Sequence, residues 1–266
     1  MTLNEQACLQ LKNRGLRDAR LWVAAAGDET VGFALLHGDI LDLAVHPDHR
    51  RQGVGGELAA AALDGLAHVD AWSHSDHPGA ARLAERFGIP RERDLLIMSR
   101  PTSQPLPHAP IPQGVVVRTY RDSDLDALLE VNAHAFANHP EQGHMTAEDF
   151  GERAHEAWFD PEGLFVAVSE DDLDGAIIGF HWTKVHVDEQ PPYGEVYVVA
   201  VSPRAAGQGL GKVLTNIGLA HLADRGLAEV ILYVDGNNEP AIAVYEGQGF
   251  SNVRTEAQYR GRPTTG

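Results

Sequence analysis

Short apolar runs rich in β-branched residues alternate along this chain with longer stretches of helical spacing, and glycine or polar turns separate them. In the first hundred residues Leu21–Ala25, Val31–Leu36 and Ile40–Val45 read as strands and Gly53–Ala67 as a helix. Val69–Ser73 then reads as a strand, Gly79–Phe87 as a helix and Leu95–Arg100 as a strand. After residue 114 the order is fuller. Val115–Tyr120 reads as a strand and Asp124–Ala137 as a helix capped by Ser123, followed by strands at Phe165–Glu170, Ala176–Val185 and Gly194–Val201. Gly209–Arg225 is a helix, Glu229–Val234 a strand and Pro240–Gln248 a helix, and the tail from Ser251 has the pattern of one more strand. Strand pairs followed by strand–helix–strand units predict a mixed sheet flanked by helices in each half. The first half lacks the opening strand and most of the first helix of the second.

Between the halves, Pro101 to Gly114 holds five prolines in fourteen residues. Proline fixes φ and has no N–H, so this stretch predicts an extended linker. The expected division is 1–100, a linker at 101–113, and 114–266.

The halves also repeat each other. Ala44-Val45-His46-Pro47 through Gln52-Gly53-Val54-Gly55 to Leu58 matches Ala200-Val201-Ser202-Pro203 through Gln208-Gly209-Leu210-Gly211 to Leu214 at a constant offset of 156 residues. Seven of the fifteen positions are identical, and they include two glycines, a proline and a glutamine, which points to two copies of one ligand-binding unit. In each copy a strand runs through a glycine-rich turn into a helix start. Unpaired backbone N–H groups and the helix dipole make such a turn a cradle for a pyrophosphate. A lone G-x-G is as readily a plain tight turn; its duplication with the preceding strand and proline favours the cradle. Neither the G-x-x-x-x-G-K-[ST] loop nor G-x-G-x-x-G is present, so nucleotide triphosphatases and dinucleotide enzymes are not indicated.

Composition narrows the class. Lys and Arg number 21 against 38 Asp and Glu, a formal charge of −17, which repels phosphate backbones and argues against nucleic acid as a partner. The single cysteine, Cys8, forms no internal disulfide, no apolar run approaches the length of a membrane span, and the start lacks a basic patch followed by an apolar core. With 43% hydrophobic residues the chain has material for real cores, so a cytoplasmic monomer acting on small molecules is expected. No metal is expected either: His134 and His139, or His181 and His186, are five apart, and no H-E-x-x-H occurs.

A second element makes the reading specific. Asn238-Glu239-Pro240-Ala241, with Tyr245 and then Gly249-Phe250, follows the strand ending at Val234. Strand, glycine turn, helix, strand and N-x-x-A-x-x-x-Y-x-x-x-G-F together resemble the GNAT acetyltransferase superfamily. Further segments resemble the tandem, mycothiol-forming branch of that superfamily: His139-Pro140-Glu141-Gln142-Gly143, Glu156 to Pro161, Gly179-Phe180-His181-Trp182-Thr183-Lys184-Val185-His186, and Gly194-Glu195-Val196-Tyr197-Val198. The resemblance covers nearly the whole chain and is strongest after residue 114.

It implies an α/β (α+β) protein of two tandem GNAT-like domains, each a mixed, mostly antiparallel sheet with flanking helices, the N-terminal copy truncated and degenerate and the C-terminal copy catalytic. It implies acetyl-CoA as co-substrate, transfer to the cysteinyl amine of a cysteine–glucosamine–inositol pseudodisaccharide, and two strands splayed apart to admit the pantetheine arm. Acetyl-CoA contacts fall on Val199, Ala200 and Val201, on the turn Ala206, Gly207, Gln208, Gly209, Leu210, Gly211 and Lys212, and on Asn238. The matching positions of the first copy are Leu43, Ala44, Val45, then Arg51, Gln52, Gly53, Val54, Gly55 and Gly56. Glu195 matches the base, acting through water, and Tyr245 the acid that protonates the leaving thiolate; a backbone N–H of Val199–Val201 is placed to stabilise the oxyanion. Glu5, Glu141, Lys184, Glu195 and Tyr233 match acceptor contacts.

Each of these residues also has a plainer reading. Tyr245 fits a half-buried core tyrosine, Glu195 a solvated strand glutamate, Lys184 a strand lysine snorkelling over Trp182, Glu141 a loop charge and Glu5 a solvated terminal glutamate. The first copy has Ala84 at the tyrosine position, so binding without catalysis is expected of it. The second has Ala206 where the family has Gln or Arg, which predicts weaker cofactor affinity with activity retained. A tandem GNAT enzyme acting on another small amine, and a non-catalytic acyl-CoA sensor, stay open; the 139–143 and 181–184 segments weigh against the first and the Glu195–Tyr245 pair against the second.

Overall fold

The computed structural model describes residues 5–137, 142–171, 173 and 176–264. They form two compact units. The first comprises the chain to Leu96 together with Asp235–Asn237 and the tail from Arg254; the second comprises Ile97–Val234 and Asn238–Val253.

The first unit opens with helix α1 (Glu5–Arg14), then strands β1 (Ala19–Ala26), β2 (Glu29–His37) and β3 (Ile40–Val45). Helix α2 (Val54–Leu63), strand β4 (Val69–Ser73), helix α3 (Pro78–Arg86) and the start of strand β5 (Arg91–Pro101) follow. The first helix is therefore present over ten residues, where the sequence suggested that most of it was missing. Its charged and amide side chains interrupt any apolar stripe. Hairpin pairing of β1 with β2 and of β2 with β3 is antiparallel, whereas β3 meets β4 in parallel at Ile40↔Asp70. Leu36, Leu41, Leu58, Ala62, Val69 and Phe87 form the core between this sheet and α2 and α3.

The second unit continues with β6 (Val115–Thr119), α4 (Leu125–Ala135), α5 (Ala147–Ala154), β7 (Leu164–Ser169), β8 (Gly179–His186) and β9 (Tyr193–Val201). Helix α6 (Leu210–Asp224), strand β10 (Glu229–Asp235) and helix α7 (Glu239–Gly247) complete it. The sheet runs β5-β10-β9-β8-β7-β6; β6 to β9 pair antiparallel in succession, and β9 meets β10 in parallel. Leu128, Val131, Phe150, Phe180, Trp182 and Val198 pack on its α4–α5 face, and Ala167, Ala205, Leu210 and Leu214 on its α6 face. Helix α5 has a capping box in which the Thr146 hydroxyl accepts from Asp149 N–H and the Asp149 carboxylate accepts from Thr146 N–H.

Strand β11 (Ser251–Gly261) departs from the linear division at residue 114. From Arg254 on it belongs to the first unit and pairs antiparallel with β4, Ala257↔Ser73 to Gly261↔Val69. Ala257 and Tyr259 join the first unit's core. The proline-rich stretch is extended as its composition requires, but it lies on the second unit: Thr102 N–H donates to Ala228 O at 3.0 Å and Asn216 Nδ2 to Pro107 O at 2.7 Å.

Candidate active site

The repeated turns have the same backbone. His46 and Ser202 each cap a short 3-10 turn, Pro47–His49 and Pro203–Ala205, at φ,ψ of −52°,135° and −54°,138°. Arg51 and Gly207 then turn left-handed, at φ 60° and 79°, and Gly53 and Gly209 repeat this at φ 94° and 77° as helix N-caps. No side chain caps either helix, so first-turn N–H groups remain available to an anion. A Cβ at Gly207 or Gly209 would meet nothing within 4 Å; the backbone conformation, not crowding, requires glycine. In the first unit Arg50 Nε donates to Val45 O at 3.0 Å and Gln52 Nε2 to Asp48 O at 3.1 Å, pinning the turn. Ala206 has no such arm.

The strand leading into each turn loses its parallel partner. Strand β10 pairs with β9 only over Val230–Leu232 against Gly194–Val196, so the backbone of Tyr197–Val201 extends beyond that ladder. In the first unit Ile40↔Asp70 is the sole β3–β4 pair, and Leu43–Val45 lie beyond it. A parted strand pair beside a left-handed turn and an uncapped helix fits an extended pantetheine arm ending in a pyrophosphate.

On the α4–α5 face next to this parting, β8 brings Lys184 opposite Glu195. One residue too many on β9, Tyr197, sits between the pairs Thr183↔Val196 and Trp182↔Val198, a β-bulge at the point where β9 leaves β10. Glu195 is 5% exposed, and its Oε2 lies 2.6 Å from His186 Nε2. The His186 ring stacks on Tyr193 at 4.4 Å. Lys184 Nζ lies over the rings of Trp158 at 4.6 Å and Tyr197 at 5.1 Å. Trp182, which the sequence suggested as the lysine's aromatic neighbour, is instead fully buried beneath them, in ring contact with Trp158, Tyr197 and Phe150. Arg153 Nε donates to Tyr197 Oη at 2.8 Å and fixes that ring.

Tyr233 stands two residues beyond Ile231, the β10 partner of Glu195, and is 39% exposed. Tyr245 is half-buried on α7 with its ring edge-on to Phe250 at 6.0 Å, and burial pushes its phenol above the ordinary tyrosine range. Asn238 caps α7, its Oδ1 accepting from Ala241 N–H at 3.2 Å. Ala84 in α3 is part of the first unit's core. Glu5 opens α1 in the first unit, and Glu141 lies outside the described residues. Among the described residues no cluster of three or more His, Cys, Asp or Glu is placed to hold a metal, and no helix is long and apolar enough to cross a membrane.

Sequence reasoning gave no role to His186, Tyr193, Trp158, Tyr197 or Arg153. The β8–β9 hairpin register that joins His186 to Glu195 was the missing information; the residues themselves stood in view. The structure also adds a pair to the repeat. Gly32 pairs with Val45 and lies against Ala44 O and Leu58, while Gly179 pairs with Val201 and lies against Ala200 O and Leu214. The hairpins differ in length, so a constant offset could not reveal this match.

Comparison with known proteins agrees with this architecture. The acetyltransferase (GNAT) family profile matches residues 126–250, and a GNAT acetyltransferase domain profile matches residues 17–88. A GCN5-related N-acetyltransferase from Sphaerobacter thermophilus superposes with a TM-score of 0.76 at 24% identity, covering 98% of this chain and 86% of that one. A tandem GNAT protein from the clavulanic acid biosynthesis pathway gives 0.70 at 21%, covering 92% and 83%. The fold and the two matches define an acetyltransferase of the GNAT class, two modules in one chain, and such enzymes use acetyl-CoA. The mycothiol acetyltransferase of Thermobispora bispora is 47% identical over 97% of this chain and 89% of its own, and that of Saccharomonospora viridis 48% over 88% and 80%. The chain belongs to the mycothiol acetyltransferase family.

Proposed function

We propose that the chain transfers acetyl from acetyl-CoA to the cysteinyl amine of 1D-myo-inositol 2-(L-cysteinylamino)-2-deoxy-α-D-glucopyranoside, the last step of mycothiol biosynthesis, and that the second unit carries the chemistry. The observation that carries this is the buried Glu195 on β9, opposite Lys184, at the point where β9 leaves β10. A sensor that only bound acyl-CoA would need no buried carboxylate there.

When bound, acetyl-CoA supplies the activated acyl group. Residues 206–212, with Val199–Val201 and Asn238, hold it through backbone N–H groups and the helix start. Glu195 takes a proton from the ammonium of the acceptor through water, leaving the amine lone pair to form the C–N bond at the carbonyl. A backbone N–H of Val199–Val201 donates a hydrogen bond to the developing oxyanion. The C–S bond breaks, Tyr245 gives its proton to the departing thiolate, and the second proton of the attacking nitrogen passes to the phenolate as the amide forms. The raised titration range of Tyr245 keeps the phenol protonated at neutral pH. Lys184 and Tyr233, with Glu141, hold the sugar and inositol hydroxyls.

The first unit, 1–100 in the linear division, is a degenerate copy that holds acetyl-CoA through Leu43–Val45 and Arg51–Gly56 and does not catalyse, because Ala84 replaces the acid. The protein acts as a cytoplasmic monomer without nucleic acid or metal.

Acetyl-CoA consumption with the cysteinyl pseudodisaccharide, with free glucosamine and with no acceptor tests the reading. Turnover confined to the first supports it. Preference for glucosamine, or no turnover with any acceptor, overturns it. An acetyl-CoA titration giving two sites, with only one lost in a Gly209→Val variant, supports the division of labour.

A further inference from the structure

A base at Glu195 must be held in one orientation and kept ionised although the carboxylate is only 5% exposed. The geometry points to His186 as the positioning residue of Glu195: its Nε2 holds Oε2 and presents Oε1 to the acceptor, so the base is a histidine–glutamate dyad. The inference rests on Glu195 being the base.

Three observations support it. The Nε2–Oε2 separation of 2.6 Å is that of a strong, charge-assisted bond. Among the described residues no other side chain hydrogen-bonds the Glu195 carboxylate, so Oε1 is left for a ligand or water. The His186 ring is itself fixed, stacked on Tyr193 at 4.4 Å and 24°, and both residues border the β8–β9 turn. A stacked ring cannot swing its Nε2 away, and a carboxylate bonded at one oxygen loses its own rotation. Positioning of this kind matters because proton transfer falls off steeply with misalignment.

Loss of a hydrogen-bond donor to a carboxylate moves the pH dependence of any step in which that carboxylate takes a proton. The other charged or titratable groups facing Glu195 are Lys184 across β8, Tyr193 and Tyr197 on its own strand, and Tyr233 on β10. None of them changes in the variants below.

The test compares pH profiles of kcat/KM for the pseudodisaccharide in the full chain and in His186→Phe, His186→Gln and Glu195→Gln. Phenylalanine keeps the stack on Tyr193 and removes the donor; glutamine gives up the ring and keeps an N–H near the place of Nε2. His186→Phe is expected to lose about tenfold or more in kcat/KM and to move the acidic limb upward by about one pH unit, with the acetyl-CoA KM and thermal midpoint close to wild type. His186→Gln is expected to return the limb to its original place. If the ring only packs, the order reverses, with Phe silent and Gln impaired, and the inference falls. An unmoved limb in His186→Phe beside a disabled Glu195→Gln also overturns the dyad while leaving Glu195 as base. An active Glu195→Gln overturns the base reading itself.

Discussion

Arg51 and Gly207, 156 residues apart in sequence, hold the same left-handed backbone, φ 60° in one and 79° in the other. The first turn keeps a side chain in that conformation because Arg50 and Gln52 on either side bond back to Val45 O and Asp48 O. The second turn has alanine at the Arg50 place and uses glycine at the strained position. Its shape thus depends on conformational freedom where that of the first depends on side-chain bonds.

Restoring the arm is therefore expected to help. In Ala206→Arg the guanidinium is placed to donate to Val201 O as Arg50 does to Val45 O. The acetyl-CoA KM should fall severalfold with kcat unchanged, about 1 kcal/mol for one hydrogen bond and less turn entropy. Gly209→Val, which forces a β-branched residue to positive φ at the helix N-cap, should cost about 1–3 kcal/mol of stability and raise that KM. Steady-state kinetics with varied acetyl-CoA and thermal melts read both.

Tyr245→Phe is expected to lower kcat about 10²-fold, because a proton donor is removed from the departing thiolate while the ring keeps its packing on Phe250. Burial raises the phenol above its ordinary value of about 10, so the donor is present throughout neutral pH and is lost only above that range. A basic limb in the wild-type profile below pH 9 should accordingly persist in Tyr245→Phe. An unchanged kcat would remove this residue from the acid role.

Two groups predict how stability follows pH. His181 is fully buried and burial pushes its imidazole down to about 4, although Nδ1 bonds Leu214 O at 2.8 Å. The unfolded chain binds its proton near pH 6.5, so stability from this group is complete above 6.5 and is lost as pH falls toward 4, about 3 kcal/mol in all. His181→Leu should flatten that slope in urea melts. The Arg118 guanidinium, forked onto Asp124 at 2.7 and 2.9 Å, holds that carboxyl below its ordinary range, so its contribution is present above pH 4 and lost at lower pH. Asp124→Asn should cost about 2 kcal/mol near neutrality, because the Arg118 guanidinium loses its forked carboxylate and keeps only the Thr119 and Leu173 carbonyls as acceptors. Gly218→Ala would put a methyl inside the His181 imidazole and should not fold.

How much of this was legible follows from what each feature depends on. The two repeated glycine turns were readable because a local backbone demand imposes glycine and proline at fixed positions. Most strands and helices were placed by periodicity to within a few residues. Helix α5 was missed although Thr146 and Asp149 spell its capping box. The destination of β11 was not readable, since its alternation marks a buried face and names no partner; β4 supplies that partner. The bond from His186 to Glu195 spans nine residues and needs the hairpin register, with its bulge at Tyr197, before the two side chains meet.

The aromatic box around Lys184 gives the last prediction. A buried ammonium is costly unless something offsets its lost hydration, and the faces of Trp158 and Tyr197 at 4.6 and 5.1 Å supply part of that. Cation–π contacts in such desolvated settings contribute about 2 kcal/mol. Trp158→Leu keeps the volume apolar and removes the ring face, so the ammonium should lose its fixed place opposite Glu195. The acceptor KM should rise about tenfold or more, with the acetyl-CoA KM unchanged, because Trp158 stands on the α4–α5 face beside Lys184 and outside the 206–212 turn. Lys184→Met should raise the acceptor KM by at least as much, and adding Trp158→Leu to it should cost little more, since both act through one ammonium. Additive losses in the double variant would show that Trp158 serves the acceptor site independently of Lys184.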